Sequence, residues 1–347
     1  MSEILIYGGY GYTGTLIIDE CLRNGLRPKI AGRNKEKIQA LAGEKGLEWE
    51  AFAITEKDKL NGWLQSGKVV IHCAGPFIHT SREMVEACLN TNTHYLDITG
   101  EYQVFDLVQS YSEQAKEKEI MLLPGAGFDV VPSDCLSAHL HKLLPDANEL
   151  ELAFVAKGGR LSRGTAKTMI ESFGDPQVRR ANGNYEFANM GKRVKTINYG
   201  PFEQLSMAIS WGDISTAFFS TGIPNIEVYS GTTEKQLGQV KKMNLLSFLL
   251  KSRVVKNFLK KQIDKKPPGP SDDRRKEANM YLWGKLTNGT KTVEARLATP
   301  NGYTLTAGAS VLIAKKILDG NYKSGYQTPS TAYGEGLILE INDCKLT

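Results

Sequence analysis

Ile4-Leu5-Ile6-Tyr7-Gly8-Gly9-Tyr10-Gly11-Tyr12-Thr13-Gly14 begins as a short apolar run and passes directly into closely spaced glycines. The spacing Gly9-x-Gly11-x-x-Gly14 meets three needs of a strand-to-helix turn around a pyrophosphate. The first glycine allows the tight turn, the second lets backbone approach the anion, and the third lets helix pack on strand. Thr15 to Asn24 carries Leu16, Ile17, Cys21 and Leu22 on one side and ends at Asn24-Gly25, so a helix follows whose N–H groups face the anion. Gly8, Tyr10, Tyr12 and Thr13 complete the expected dinucleotide contacts. A glycine turn without a ligand is the competing reading, and the strand before and helix after weigh against it.

The second strand bears on which dinucleotide. It reads Arg27-Pro28-Lys29-Ile30-Ala31-Gly32 and runs into Arg33-Asn34-Lys35. Where an NAD-specific domain places an acid for the ribose hydroxyls, this chain places Arg33, with Lys35 close behind. A guanidinium can grip a 2′-phosphate with paired donors, which favours NADP by about tenfold to a hundredfold. The competing reading has both cations solvating a helix start.

Alternation then continues. A polar helix from Lys35 to Ala42 leads to a strand at Trp49–Ile54, and Val69–Cys73 forms the next, ending in Ala74-Gly75-Pro76-Phe77. Thr80-Ser81-Arg82-Glu83 has the pattern of a capping box. Tyr95-Leu96-Asp97-Ile98 ends in Thr99-Gly100-Glu101, and Ile120–Leu123 breaks at Pro124-Gly125-Ala126-Gly127. Strands separated by helices give a doubly wound parallel sheet whose ligands lie at the strands' carboxyl ends. Asp97, Glu101 and Asp129 follow those ends and are the candidate proton donors for a reduction; Asp134, beside Ser133, reads rather as a helix cap.

The 347 residues exceed one typical core, and 41% hydrophobic with 23% charged residues is ordinary globular composition. A net charge of +5, without basic blocks interleaved with aromatics, argues against nucleic acid. Five scattered cysteines without a C-x-x-C pair suit a reducing cytoplasm and neither disulfides nor zinc. No apolar run reaches transmembrane length, and no signal peptide is expected before the first strand.

Character changes near residue 145. Glu149–Val155, Gln204–Ile209 and Ile226–Tyr229 alternate polar with apolar, the pattern of a largely antiparallel sheet. Tyr281–Leu286 and Thr292–Leu297 read as a hairpin across Asn288-Gly289. The expected division is therefore a dinucleotide domain over 1–145, an α+β substrate and dimerisation domain over 146–302, and a closing segment over 303–347. Lys241 to Lys266 holds nine Lys or Arg against one acid, Asp264, interleaved with Leu245, Leu246, Phe248, Leu249, Leu250, Val254, Val255, Phe258 and Leu259. A basic amphipathic helix covering the substrate cleft is the expectation, with peripheral contact to an anionic membrane as the alternative.

Taken with Cys73-Ala74-Gly75-Pro76-Phe77, Tyr95–Glu101 and Gly125–Asp134, the opening glycine motif resembles the saccharopine dehydrogenase-like oxidoreductases, in particular the branch containing trans-acting enoyl reductases. Ser162-Arg163-Gly164-Thr165, Gly269-Pro270-Ser271, Gly302–Ala307 and Thr328-Pro329 extend the resemblance along nearly the whole chain. It implies a nicotinamide cofactor, with Ala74, Gly75, Pro76 and Phe77, beside Cys73, bordering the ribose and nicotinamide. It also implies that the carboxyl-terminal segment rejoins the nucleotide domain. The expected activity is NADP(H)-dependent reduction of a C=C or C=O bond in a lipid-like or acyl substrate, by a cytoplasmic enzyme with homodimerisation left open. Imine reduction of the saccharopine type and an NADP-binding scaffold or sensor are the alternatives. An amino-acid substrate calls for convergent arginines, and Arg160, Arg163, Arg179 and Arg180 show no such convergence in sequence.

Overall fold

Four consecutive apolar residues, Ile4–Tyr7, form β1, and all four are buried, as a strand with helices on both faces requires. The structure, a computed structural model, describes residues 3–245 and 247–347. The chain up to Val131 and Gly302–Ala332 form one compact unit; Pro132–Asn301 and Tyr333–Thr347 form a second.

In the first unit β1 is followed by β2 (Lys29–Gly32), β3 (Trp49–Ala51), β4 (Val69–His72), β5 (His94–Asp97) and β6 (Met121–Leu123). A later strand, Gly325–Tyr326, adds to the edge beside β6, and all seven run parallel. From that edge the order runs β6-β5-β4-β1-β2-β3, so the chain reverses its direction of winding between β1 and β4. Loops leaving those two strands therefore diverge to leave a crevice at their carboxyl ends. The helix Gly302–Leu318 packs on the helix Tyr12–Arg23 and on β4 and β5, so this part of the closing segment does return.

The second unit holds a sheet built from β7 (Glu149–Lys157), β8 (Gln177–Ala181), β9 (Asn184–Ala188), β10 (Val194–Asn198), β11 (Glu203–Ile209), β12 (Asn225–Gly231), β13 (Asn279–Thr287) and β14 (Thr292–Pro300). Counting Gly325–Tyr326 as β15, the last strand is β16 (Lys345–Leu346). The main path is β10-β11-β12-β7-β13-β14-β16, antiparallel except for β12 beside β7. The β13–β14 hairpin turns at Asn288-Gly289 with Thr287 opposite Thr292, as the sequence indicates. Tyr199, Tyr229, Trp283, Val155 and Ile197 fill the core on one face.

Two expected boundaries move. The division falls at Val131/Pro132 rather than near 145, because the helix Val131–Leu143 lays Leu136 and Leu140 against Gly284 of β13. A side chain at Gly284 would stand 2.6 Å from Leu140, so that helix belongs to the second sheet. The final residues, Tyr333–Thr347, likewise join the second unit, where β16 pairs with β14.

The basic segment is also not one helix. It divides into Glu234–Leu245, Ser247–Leu250 and Arg253–Asp264; Leu246 and the side chains of Leu245 and Leu249 lie outside the described residues. No described helix is long and apolar enough to cross a membrane.

Candidate dinucleotide site

Gly8, rather than Gly9, supplies the left-handed residue of the first turn, with φ +85°. A side chain there would meet the backbone and Cβ of Ala74 at 2.9 Å, so the glycine loop and the 73–77 loop touch at a point only hydrogen can occupy. Gly9 instead faces Ile18 of the following helix at 3.0 Å. Gly14 performs the role the spacing assigns: a Cβ there would sit 2.7 Å from the Gly8 carbonyl and 3.0 Å from Gly9. The Gly11 N–H donates to Gly8 O at 2.9 Å, and the Thr15 hydroxyl and N–H return to this loop, closing it.

The helix Tyr12–Arg23 starts at Gly11, which has no side chain to cap it, and its first turn carries no acid. The positive dipole end of the helix, with no acid in its first turn to offset it, favours an external anion. A cradle that closes around any Cβ, combined with an uncapped helix, fits the pyrophosphate of a dinucleotide.

Arg33 follows β2 directly and is exposed, as is Lys35. Asn34, expected among the cofactor contacts, caps the next helix, accepting from Lys37 N at 2.8 Å. The Tyr10 ring lies over Gly32, where an added Cβ would approach it to 2.5 Å. This places the loop tyrosine against the strand end that precedes Arg33.

The 73–77 loop is held from three sides. Cys73 N donates to Tyr7 O at 2.8 Å. The Thr80 hydroxyl donates to Ala74 O at 2.9 Å and lies 2.9 Å from Nε2 of His72. With that hydroxyl proton spent on Ala74, Nε2 of His72 is the donor. His72 is buried against the rings of Tyr7, Phe77 and Tyr95, and burial pushes its pKa down to about 3. The expected capping box is thus not formed: Thr80 leaves the helix Ser81–Thr91 uncapped because its hydroxyl holds the loop. Glu101 provides the third hold, its two carboxylate oxygens accepting the N–H groups of Phe77 and Ile78 at 2.9 Å each.

The three candidate carboxyls have different surroundings. Asp97 is fully buried and accepts from Tyr95 Oη, Thr99 N and Gly125 N at 2.5, 3.0 and 2.8 Å. Burial raises its pKa to about 6 against the pull of those donors. It fastens the ends of β5 and β6 together and has no proton positioned for a ligand. Glu101 is engaged as described. Asp129 lies across Gly100, whose added Cβ would stand 3.2 Å from its carboxylate. Burial, and then the Glu101 charge, raise Asp129 to about 7, within reach of proton exchange near neutrality.

Two residues the sequence reading did not single out fix the Asp129 loop. Thr306 accepts from Phe128 N at 2.9 Å, and Ser310 donates to Ala126 O at 2.9 Å. Both lie on the returning helix Gly302–Leu318. The one sequence signal for Thr306 was the Gly302–Ala307 stretch, visible through the resemblance alone, and Ser310 had none.

In the second unit several basic side chains are engaged locally. Arg179 pairs with Glu186 at 2.9 Å, and Arg193 bridges Glu186 and Glu227. Arg180 donates to Ile214 O and Gly183 O and stacks over Tyr185 and Phe218. Lys167 and Arg163 meet Asp264. Asp134 accepts from Ser220 at 2.9 Å, a tie between two helices of that unit.

Comparison with known proteins agrees with this geometry. Residues 4–123 match the family described as the saccharopine dehydrogenase NADP binding domain. A mouse saccharopine dehydrogenase-like oxidoreductase is 26% identical over 198 residues, 50% of this chain and 46% of that protein. A Mycobacterium tuberculosis protein named as a trans-acting enoyl reductase is 30% identical over 198 residues, 51% of this chain and 46% of that one. A Caenorhabditis elegans lipid droplet localized protein is 27% identical over 188 residues, 48% of this chain and 44% of that one. These matches span about half of this chain and a little under half of the relatives' length. Among solved structures, apo saccharopine dehydrogenase (L-Glu forming) from Saccharomyces cerevisiae covers the whole of both chains with a TM-score of 0.67 at 12% identity. The homospermidine synthase of Legionella pneumophila, solved with NAD, covers 98% of this chain and 88% of its own with a TM-score of 0.64 at 10% identity; both likenesses concern the fold. The amino-terminal domain of this chain is a pyridine-nucleotide-binding domain of the saccharopine dehydrogenase type.

Proposed function

We propose that this chain is an NADP(H)-dependent oxidoreductase that reduces a C=C or C=O bond of a lipid-like or acyl-chain substrate. Arg33 supports the choice of NADP, since it stands at the end of β2 where an acid would otherwise take the ribose hydroxyls. Gly8, Gly9, Gly11 and Gly14 with the amides of Tyr12 and Thr13 would hold the pyrophosphate, and Ala74 to Phe77 would border the nicotinamide. Bound there, the reduced nicotinamide supplies two electrons and one hydrogen to a substrate carbon. The balancing proton comes from Asp129, whose raised pKa keeps it protonated in a substantial fraction at neutral pH. Asp97 and Glu101 are positioning residues, one for the strand ends and the other for the 73–77 loop.

One observation carries the substrate class: Arg163, Arg179, Arg180 and Arg193 are each already committed to carbonyls, carboxylates or rings of their own unit, which leaves Arg160 alone among the four arginines named from sequence without a partner among the described residues. An amino-acid substrate with several carboxylates needs unengaged guanidiniums for bidentate grip, so this commitment favours an uncharged chain over the saccharopine-type imine. The names of the enoyl reductase and lipid droplet relatives support the same direction. The test is NADPH oxidation by the purified protein with medium- and long-chain enoyl thioesters and enones, run beside an aldehyde plus amino-acid mixture. Turnover of the acyl substrates is expected; turnover of the imine mixture alone would overturn the reading.

A further inference from the structure

The helix Arg253–Asp264 has no buried residue, and its apolar side chains spread over about half of its circumference. Val255, Leu259 and Ile263, spaced at i, i+4 and i+8, are half-buried and account for its packing on the helix Arg163–Glu171. On that side Lys260 pairs with the Glu171 carboxylate and Asp264 with Lys167, while Lys256 donates to the Glu171 backbone carbonyl. The opposite face keeps Val254 at 78% exposure and Phe258 at 59%, one helical turn apart. Phe248, in the preceding short helix, is 71% exposed.

These exposed apolar groups sit among Lys251, Arg253, Lys261, Lys265 and Lys266, none of which has a carboxylate partner among the described residues. By helical spacing Lys261 and Lys265 share the face of Val254 and Phe258. An outward face that combines an aromatic ring, an aliphatic side chain and unneutralised cations is complementary to an interface that is apolar beneath and anionic above.

We propose that residues 247–266 dock this protein on an anionic lipid surface, with Phe248, Val254 and Phe258 entering the acyl boundary and the lysines and arginine meeting headgroup phosphates. The charge pattern selects this occupant over a second copy of the chain, because two such faces would bring cation against cation. It also selects it over an acidic protein, which would leave Phe248, Val254 and Phe258 without an apolar counterpart.

Co-sedimentation of the full chain with vesicles tests this, using phosphatidylcholine alone and phosphatidylcholine with roughly 30% phosphatidylserine. The wild type is expected to bind the anionic vesicles and to be released by high salt. The combined Phe248→Ser, Val254→Ser, Phe258→Ser variant should lose roughly tenfold or more in affinity, and Lys261→Glu with Lys265→Glu should do the same. All five side chains are exposed, so these substitutions leave the fold intact, and NADPH binding in the same preparations verifies it. Absence of wild-type binding, or equal binding by the serine variant, would overturn the proposal. A vesicle-free dimer that the serine variant renders monomeric, without vesicle binding, would overturn it and assign the face to self-association.

Discussion

Glu101→Gln isolates the hold on the 73–77 loop with the smallest change of shape. The carboxylate accepts from Phe77 N and Ile78 N, one oxygen each, at 2.9 Å. A glutamine keeps one acceptor, and its NH2 then faces the second N–H donor to donor. Phe77 is 7% exposed, so its amide holds the surviving oxygen, while Ile78 at 42% turns to water. One charge-assisted bond is thereby weakened to a neutral one and the other is exchanged for water, a loss of about 2 kcal/mol from typical bond contributions. In a unit of this size that lowers Tm by roughly 5 °C. If the freed loop must be ordered again to close on the nicotinamide, the same energy corresponds to a Kd for NADPH weaker by up to roughly thirtyfold. Calorimetric melting without coenzyme and quenching of tryptophan fluorescence with it provide the two readouts. A Tm within about 1 °C and a Kd within about twofold of wild type would refute the claim that Glu101 positions this loop.

Other substitutions test separate parts. Gly14→Ala forces a Cβ to 2.7 Å from the Gly8 carbonyl; NADPH binding should fall by roughly a hundredfold or more while far-ultraviolet dichroism stays native, and retained affinity would contradict the loop's role. Asp129→Asn should lower turnover by roughly 10²–10⁴-fold with NADPH affinity preserved. In the wild type, turnover should decline as pH rises through about 7, the raised value for Asp129, and a variant retaining that decline would assign the proton elsewhere. Burial lowers His72 to about 3 and His94 to about 4. Both contribute stability that is full above their ordinary value of about 6.5 and is lost as pH falls from there toward 3–4. Urea midpoints should therefore drop between pH 7 and 4, and a flat profile would contradict their burial as neutral rings.

Much of the first unit is readable in sequence because β1, β4 and β6 are largely apolar runs whose following loops carry glycine or proline. The parallel pairing of β1 to β6 follows from that alternation, whereas the strand order and the added edge strand Gly325–Tyr326 carry no local sequence signal. The β13–β14 hairpin declares itself through Asn288-Gly289, whereas β8 and β9 went unread although Asn182-Gly183 joins them in a tighter, two-residue turn. Their strands carry Arg179, Arg180 and Glu186, and polar residues hide a two-residue period. The site shows a similar division. The glycine spacing identifies the cradle, but backbone geometry moves the left-handed turn from Gly9 to Gly8, a difference of one position that spacing cannot resolve. Thr80 matched a capping pattern locally, and a distant carbonyl, Ala74 O, claimed its hydroxyl. Glu101 and Asp129 read alike as acids at strand ends; only their partners distinguish a loop anchor from a candidate proton donor.

In the proposed function the glycine loop would cradle a diphosphate while Arg33 would hold an additional phosphate on the adenosine ribose. Titration of the purified chain with NADPH and NADH side by side, for wild type and Arg33→Asp, tests it most directly. Tighter NADPH binding by about tenfold or more is expected in the wild type, with loss of that preference in the variant and NADH affinity little changed. No binding of either coenzyme, or equal weakening of both by the substitution, would contradict it.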